Sequence, residues 1–244
     1  LDIGGDKQPR CIQIPQEENP FLGLRAIRLC IERKDIFKTQ LRAILRASVI
    51  GNIKILIPMI CCIDEVFETK KIIAEVQKEL KNERIPFDEN IDLGVMIEVP
   101  SAAIIADLIA KEVDFLSIGT NDLIQYTLAV DRGNEHISYL YKNLPLSVLR
   151  LIREIVKAGH QQGVWVVMCS EMAGSPLATL ILLGIGLDEL SVSPSVLPEI
   201  KTIIRSVTFK EAENLAEKVL QLSSSRSVEN FMFKIMKKNY SDFL

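Results

Sequence analysis

A short apolar run ends in a polar loop whose side chains are suited to binding a metal ion and a phosphate group. The run spans residues 115–118, Asn121 and Asp122 follow it, and Arg132 comes ten residues after the carboxylate. Carboxylates are ligands of hard divalent cations, and a guanidinium group binds phosphate through paired N–H groups. We interpret the run as a strand whose carboxyl end presents these ligands to a metal ion and a phosphate.

Two further strand-like runs end in residues that could take part in chemistry. Glu98 follows the run Leu93–Ile97, and Cys169 follows Val164–Met168. With Asp122, Glu98 could bind a divalent cation that takes its other ligands from water and substrate oxygens. Taken alone, both carboxylates fit better as surface or helix-capping groups than as metal ligands, and a lone cysteine is usually a core residue.

Runs that are continuous in Val, Ile and Leu alternate with amphipathic segments. Such runs are typical of strands buried on both faces, and their alternation with helices predicts a parallel α/β sheet. An open doubly wound sheet and a closed (β/α)8 barrel both fit this pattern. The predicted strands are Leu1–Ile3 (a stub), Ile53–Ile57, Leu93–Ile97, Phe115–Ile118, Val164–Met168 and Leu190–Val192.

Capping residues predict where the helices between these strands begin. The predicted starts are Asp64, Ser101, Ser147, Ser175 (before a proline) and Thr208 (with a capping glutamate). The second of these helices carries Ile104, Leu108 and Ile109 on one stripe, which predicts that they face the core. The serine run 223–225 predicts a linker to a terminal helix at Val228–Lys238.

Composition places the chain among ordinary globular proteins. Its 244 residues are 48% hydrophobic and 25% charged, with a net charge of −3. This balance gives no indication of nucleic-acid binding. We expect no membrane insertion, because no apolar run reaches the roughly 18 residues of a membrane span.

The cysteines predict a reducing, cytoplasmic environment. Their number is odd and their spacing matches no zinc pattern. The adjacent pair is a poor candidate for a mutual disulfide. The five are Cys11, Cys30, Cys61, Cys62 and Cys169.

Several motifs together resemble one family. The Gly119–Asp122 core is similar to phosphoenolpyruvate-utilising enzymes in general, and its continuation through Asn134 is similar to enzyme I of the bacterial phosphoenolpyruvate:sugar phosphotransferase system. The chain resembles the C-terminal, phosphoenolpyruvate-binding domain of that family from end to end. The other matching segments are 1–7, 17–28, 94–100 and 168–173.

The resemblance implies a (β/α)8 TIM-type barrel. It also implies that this chain lacks the first two strands and that residue 1 lies inside a longer protein. We expect a barrel domain at 1–222, followed by a linker and C-terminal helix at 223–244.

The resemblance also implies roles for individual residues. Glu98 and Asp122 would hold Mg²⁺, and Arg25, Asn121, Asp122 and Arg132 would bind the substrate. Cys169 would protonate the enolate of pyruvate at carbon, since a free thiol is mostly protonated at neutral pH.

The partners follow from the same resemblance. Phosphoenolpyruvate would phosphorylate a histidine of an N-terminal domain, which passes the group to the phosphocarrier protein HPr for sugar uptake. Neither His136 nor His160 matches that histidine, so we expect both to be solvated or structural. We expect a homodimer, and we expect this chain alone not to autophosphorylate.

One residue departs from the family pattern, and two other assignments stay open. Ser170 stands where the family usually has glycine, so it would be strained if the position requires a positive φ. The chain could also be part of a pyruvate phosphate dikinase or phosphoenolpyruvate synthase, although these should lack the sequence 126–134. A third possibility is an inactive, truncated module for binding or dimerisation.

Overall fold

The computed structural model describes residues 1–5, 7, 12 and 15–240, which form a parallel sheet surrounded by helices. Cys11 and the residues after 240 lie outside the described part. The strands there are β1 (Ile55–Ile57), β2 (Leu93–Ile97), β3 (Phe115–Ile118), β4 (Trp165–Cys169) and β5 (Glu189–Ser191). The α-helices there are α1 (Ile27–Glu32), α2 (Lys34–Ala47), α3 (Ile63–Asn82), α4 (Pro100–Ile104), α5 (Ala106–Ile109), α6 (Thr120–Leu128), α7 (Leu146–Gln161), α8 (Pro176–Ile185), α9 (Leu197–Arg205), α10 (Phe209–Leu220) and α11 (Ser225–Asn239).

The sheet has the order β1-β2-β3-β4-β5, and every neighbouring pair is parallel. Each strand therefore lies beside the next one in sequence, with helices in the connections. A doubly wound sheet reverses its strand order at a switch point, whereas a barrel-type sheet does not. The order confirms the predicted parallel α/β fold and favours winding of the barrel type.

The bounds of β2 and β3 agree with the prediction, and those of the other three shift by one or two residues. The predicted stub at Leu1–Ile3 is wrong, because this segment is not a strand. The carbonyl of Ile3 accepts a hydrogen bond from the backbone N–H of Ala26, at 2.9 Å. An apolar run of three residues cannot by itself indicate whether a neighbouring strand will pair with it.

The central strands are buried, as their continuous apolar sequence predicts. All four residues of β3 are buried. At its start, Phe115 stacks on Trp165 of β4 with ring centroids 4.8 Å apart. Gly94 makes room for this pair, since a Cβ there would lie 2.3 Å from the Phe115 ring. The sheet thus presents a rigid row of strand ends to the loops that follow.

The predicted inward stripe of Ile104 and Leu108 is wrong. These side chains are 75% and 44% exposed, whereas Ile109 is fully buried. The helix is interrupted at Ile105, whose φ and ψ are −103° and 23°, so residues on either side do not share one helical stripe. Small side chains, such as the buried Ala102, allow this segment to pack against α7.

Helix starts follow the capping prediction in two places. Thr208 forms the predicted capping box with Glu211, and Ser175 is the N-cap before Pro176. The other three helices begin one or two residues earlier than predicted, after Cys62, Val99 and Pro145.

Helices α8, α10 and α11 pack together beyond β5. A Cβ on Gly184 would lie 2.0 Å from the carbonyl oxygen of Ala212, so only glycine permits this approach of α8 to α10. Helix α11 packs on α8 and buries Val228, Met232 and Met236 completely. In the described part of the chain, every helix is too short or too polar to cross a membrane.

Candidate active site at the strand carboxyl ends

Glu98 directly follows β2, and its side chain is only 5% exposed. Its Oε1 accepts a hydrogen bond from the backbone N–H of Met59, at 2.7 Å. Met59 has a φ of 61°, an uncommon conformation for a residue with a side chain. Gly119 provides space on the other side, since a Cβ there would lie 2.7 Å from Glu98 Oε2. The glycine of the loop after β3 is therefore needed for the close approach of this carboxylate.

The environment of Glu98 disfavours its ionised form. Burial, and to a smaller extent the negative charge of Asp122, raises the pKa of Glu98 to about 8. A bound cation would offset both effects, because it favours the charged form of a neighbouring carboxylate. Two carboxylates that follow neighbouring strands are a donor set that fits Mg²⁺, which needs few protein ligands.

Arg25 reaches into the same region from the loop before α1, and its side chain is only 2% exposed. Its Nη2 lies 3.3 Å from Asp122 Oδ2 and 3.5 Å from Asp2 Oδ1. Its Nη1 donates to the hydroxyl of Tyr126 at 3.1 Å, and that hydroxyl in turn donates to the backbone carbonyl of Phe21. The structure thus brings Arg25 and Asp122, two of the predicted site residues, into direct contact.

The Nε of Arg25 is buried and has no hydrogen-bond partner among the described residues. A buried donor of a charged group is costly to leave unpaired. Arg25 therefore keeps one donor that the described residues do not satisfy.

Gly23 permits a close contact within the loop that carries Arg25. A Cβ at this position would lie 2.1 Å from the carboxylate of Glu17, which accepts the backbone N–H of Leu24 at 3.0 Å. The glycine allows an internal carboxylate to hold the loop that carries Arg25.

Asn121 and Asp122 occupy the first turn of α6. The side-chain amide of Asn121 lies 3.5 Å from the Glu171 carboxylate. Asn121 also lines a cavity of about 180 Å³ together with Thr120, Tyr141 and Glu171. Glu171, which follows β4, thus contacts the first turn of α6.

Ser170 is not strained. Its φ and ψ are −164° and 172°, an extended conformation that any residue adopts. Its hydroxyl accepts a hydrogen bond from the Thr120 hydroxyl at 2.6 Å. The expected strain is therefore wrong, and the serine links the ends of β3 and β4.

Arg132 lies beside the same region, near Tyr141, whose hydroxyl donates to the Asn121 carbonyl at 3.3 Å. Its side chain is exposed, and its guanidinium makes no hydrogen bond or ion pair with any part of the chain that the structure describes. Its backbone N–H donates to the side chain of Gln125 at 3.3 Å. Burial raises the pKa of Tyr141, and the positive charge of Arg132 counteracts this, which places the guanidinium near the Tyr141 hydroxyl. Arg132 thus remains available to a ligand at the mouth of the site.

Cys169 is the last residue of β4 and is partly exposed. Its Sγ lies 3.1 Å from the hydroxyl oxygen of Ser117, a buried residue of β3. Ser117 therefore fixes the position of the thiol from the neighbouring strand.

Asp2, Ser117 and Tyr126 contact the predicted site residues, yet no role was predicted for them. The spacing of Tyr126 offered a signal, because it lies four residues after Asp122 and so on the same face of α6. Asp2 and Ser117 contact residues distant in sequence, which no local pattern reveals. As expected, the histidines lie outside this region: His136 is exposed, and His160 binds Asp188 at 2.9 Å.

Comparison with solved structures supports the fold. A citrate lyase from Burkholderia xenovorans aligns with a TM-score of 0.51 and 16% sequence identity, over 84% of this chain and 68% of that chain.

Sequence relatives are much more similar. The phosphoenolpyruvate-protein phosphotransferase of Buchnera aphidicola subsp. Acyrthosiphon pisum is 53% identical over 95% of this chain and 41% of its own length. The protein of the same name from Bacillus subtilis is 51% identical over 97% of this chain and 42% of its own. This chain thus spans about two fifths of the length of these relatives.

A protein-family comparison covers most of the chain. Residues 1–209 match the family described as PEP-utilising enzyme, PEP-binding domain, where PEP is phosphoenolpyruvate. The matched region includes all the predicted site residues, which are Arg25, Glu98, Asn121, Asp122, Arg132 and Cys169. The chain belongs to the phosphoenolpyruvate-binding domain family of the phosphoenolpyruvate-utilising enzymes.

Proposed function

We propose that this chain is the phosphoenolpyruvate-binding part of a phosphoenolpyruvate-protein phosphotransferase. In this proposal the phosphoryl group passes to a histidine of another domain and then to the phosphocarrier protein HPr, which serves sugar uptake. The relatives that carry this name match nearly the whole of this chain at about half identity.

One observation supports the proposal most strongly: a buried arginine and two carboxylates meet at neighbouring strand ends. The Arg25 guanidinium retains an unpaired Nε among the described residues, and burial together with the charge of Asp122 raises the pKa of Glu98 to about 8. A ligand that combines a divalent cation with an anionic phosphate would satisfy both groups. Phosphoenolpyruvate bound with Mg²⁺ is such a ligand.

The residues of this chain would bind and orient the substrate. Arg25 and Arg132 would neutralise charge on the phosphate oxygens, and Asn121 would donate from its side-chain amide. Glu98 and Asp122 would hold Mg²⁺, which would neutralise substrate oxygens when bound.

Transfer requires one bond to break and one to form. The bond between phosphorus and the enol oxygen breaks as a histidine nitrogen bonds to phosphorus, which leaves the enolate of pyruvate. Cys169 would then give its thiol proton to the enolate carbon. Ser117 would keep the thiol directed toward that carbon.

Calorimetry tests the carboxylate pair. We expect Mg²⁺-dependent binding of phosphoenolpyruvate, weakened at least about tenfold by Glu98→Gln or by Asp122→Asn, since even indirect metal contacts contribute that much. Asp107→Asn is a matched control, because Asp107 is exposed on α5. Unchanged affinity in both site variants would remove these carboxylates from the binding site.

Proton exchange tests the thiol. Exchange of the pyruvate methyl protons with deuterated water, followed by NMR, should be lost in Cys169→Ala. Exchange that persists at the wild-type rate would assign the proton to another group. We also propose that the protein is cytoplasmic and forms a homodimer. Sedimentation of the purified protein would test the oligomeric state.

A further inference from the structure

Two adjacent thiols and a carboxylate lie together on the loop between β1 and α3. One ligand atom each from Cys61, Cys62 and Glu65 can be chosen so that all lie within 4.8 Å of one another. It is the one such group of three metal-ligating side chains found among the described residues. Both cysteines are free and partly exposed, so an ion could reach them from solvent.

Backbone hydrogen bonds hold this cluster in place. A carboxylate oxygen of Glu65 accepts the backbone N–H of Cys61 at 2.7 Å and that of Cys62 at 3.4 Å. The Ser101 hydroxyl donates to the Cys61 carbonyl at 2.8 Å. The bonds to Glu65 also cap α3, and the Cys62 side chain forms the other half of the same capping box with the Glu65 backbone N–H. Capping thus explains Glu65 and Cys62, but it does not require the second thiol, at Cys61, beside them.

The donor set indicates the class of ion. Thiolates prefer soft or borderline cations such as Zn²⁺ and Cd²⁺, whereas Mg²⁺ prefers oxygen. Zinc sites of three protein ligands commonly include cysteine or a carboxylate and leave a fourth position for water.

The charges of the cluster are also compatible with a divalent ion. Two thiolates and a carboxylate carry three negative charges. A divalent ion and the guanidinium of Arg28, which lies within hydrogen-bond reach of the Cys61 thiol, together neutralise them.

We propose that Cys61, Cys62 and Glu65 form a binding site for a thiophilic divalent cation such as Zn²⁺, separate from the Glu98–Asp122 pair. The site would connect to that pair through the backbone, because Met59, two residues before Cys61, donates its N–H to Glu98. An ion at this position would restrain the segment that supports the buried carboxylate.

Cadmium titration tests the site directly. With excess Mg²⁺ and a phosphine reductant present, the chain should bind one equivalent of Cd²⁺ and develop the ultraviolet band of thiolate-to-cadmium charge transfer. The double variant Cys61→Ser, Cys62→Ser should lose the band, and each single variant should bind at least about tenfold more weakly. Cys169→Ser is the matched control, since it removes one thiol elsewhere and should retain the band.

Alkylation of the wild-type chain tests the site without any substitution, so a folding defect cannot explain the result. Zn²⁺ should slow the modification of Cys61 and Cys62, as mapped by peptide mass spectrometry, and should leave the rate at Cys169 unchanged. Mg²⁺ should protect neither cysteine of the pair. Cadmium binding that survives in the double variant, or equal alkylation rates with and without Zn²⁺, would overturn the proposal.

Discussion

Glu98 should make the stability of the metal-free chain depend on pH in the neutral range. Its pKa is about 8 in the folded chain, against an ordinary value of 4.5. Between these two values the folded state holds a proton that the unfolded state has released, so the free energy of unfolding falls as pH rises. The stabilisation is fully present below the ordinary pKa and is lost as pH rises through the folded value.

The size of the effect follows from the shift. Each pKa unit corresponds to about 1.36 kcal/mol. Between pH 6 and pH 8 the unfolded group is ionised, whereas the folded group stays protonated until the pH approaches its pKa of about 8. Over this interval we therefore expect a loss of roughly 2 kcal/mol in the free energy of unfolding.

Urea unfolding of the wild type and of Glu98→Gln, in the presence of a chelator, measures this loss. Glutamine stays neutral at every pH and its side-chain oxygen can still accept the Met59 N–H. Other titrating groups contribute equally to both proteins, so the difference between the two reports Glu98 alone. Glu217→Gln, at an exposed position of α10, should follow the wild type.

The expected result is that Glu98→Gln gains stability relative to the wild type as pH rises. A difference that stays constant within about 0.5 kcal/mol, the ordinary effect of a surface substitution, would show that Glu98 is already ionised at pH 6. The electrostatic argument for a cation at this position would then fail. Saturating Mg²⁺ should flatten the pH dependence, since a bound cation favours the ionised carboxylate.

Two hydrogen bonds near the same strand ends give further predictions. Tyr126→Phe removes the acceptor of the buried Arg25 Nη1, so the free energy of unfolding should fall by about 1–3 kcal/mol; an unchanged urea midpoint would mean that Nη1 finds another acceptor. Ser170→Gly removes the 2.6 Å bond to Thr120 and should cost about 1 kcal/mol in thermal or urea unfolding. A gain in stability in that variant would instead support the expectation of a strained serine.

Helix starts and the burial of strands were predictable where local sequence controls them. The Thr208–Glu211 capping box is a four-residue interaction, and the apolar run of β3 reflects burial on both faces. Prediction failed for Leu1–Ile3 and for Ile104. Whether a segment pairs as a strand, and whether a side chain faces the core, depends on which segment packs beside it. An apolar run forms a strand only if another segment of the chain hydrogen-bonds to it.

The sequence by itself determined the parallel α/β class and the placement of Glu98 and Asp122 at strand ends, since both follow from residue type and order along the chain. Family membership also follows from sequence similarity. Only the tertiary structure decided that the strands lie in sequential order, because the apolar pattern is the same for both windings. It also decided that Arg25 is buried against Asp122, 97 positions away, and that the Cys169 thiol lies beside Ser117. Such contacts arise from the packing of distant segments, and no local spacing encodes them.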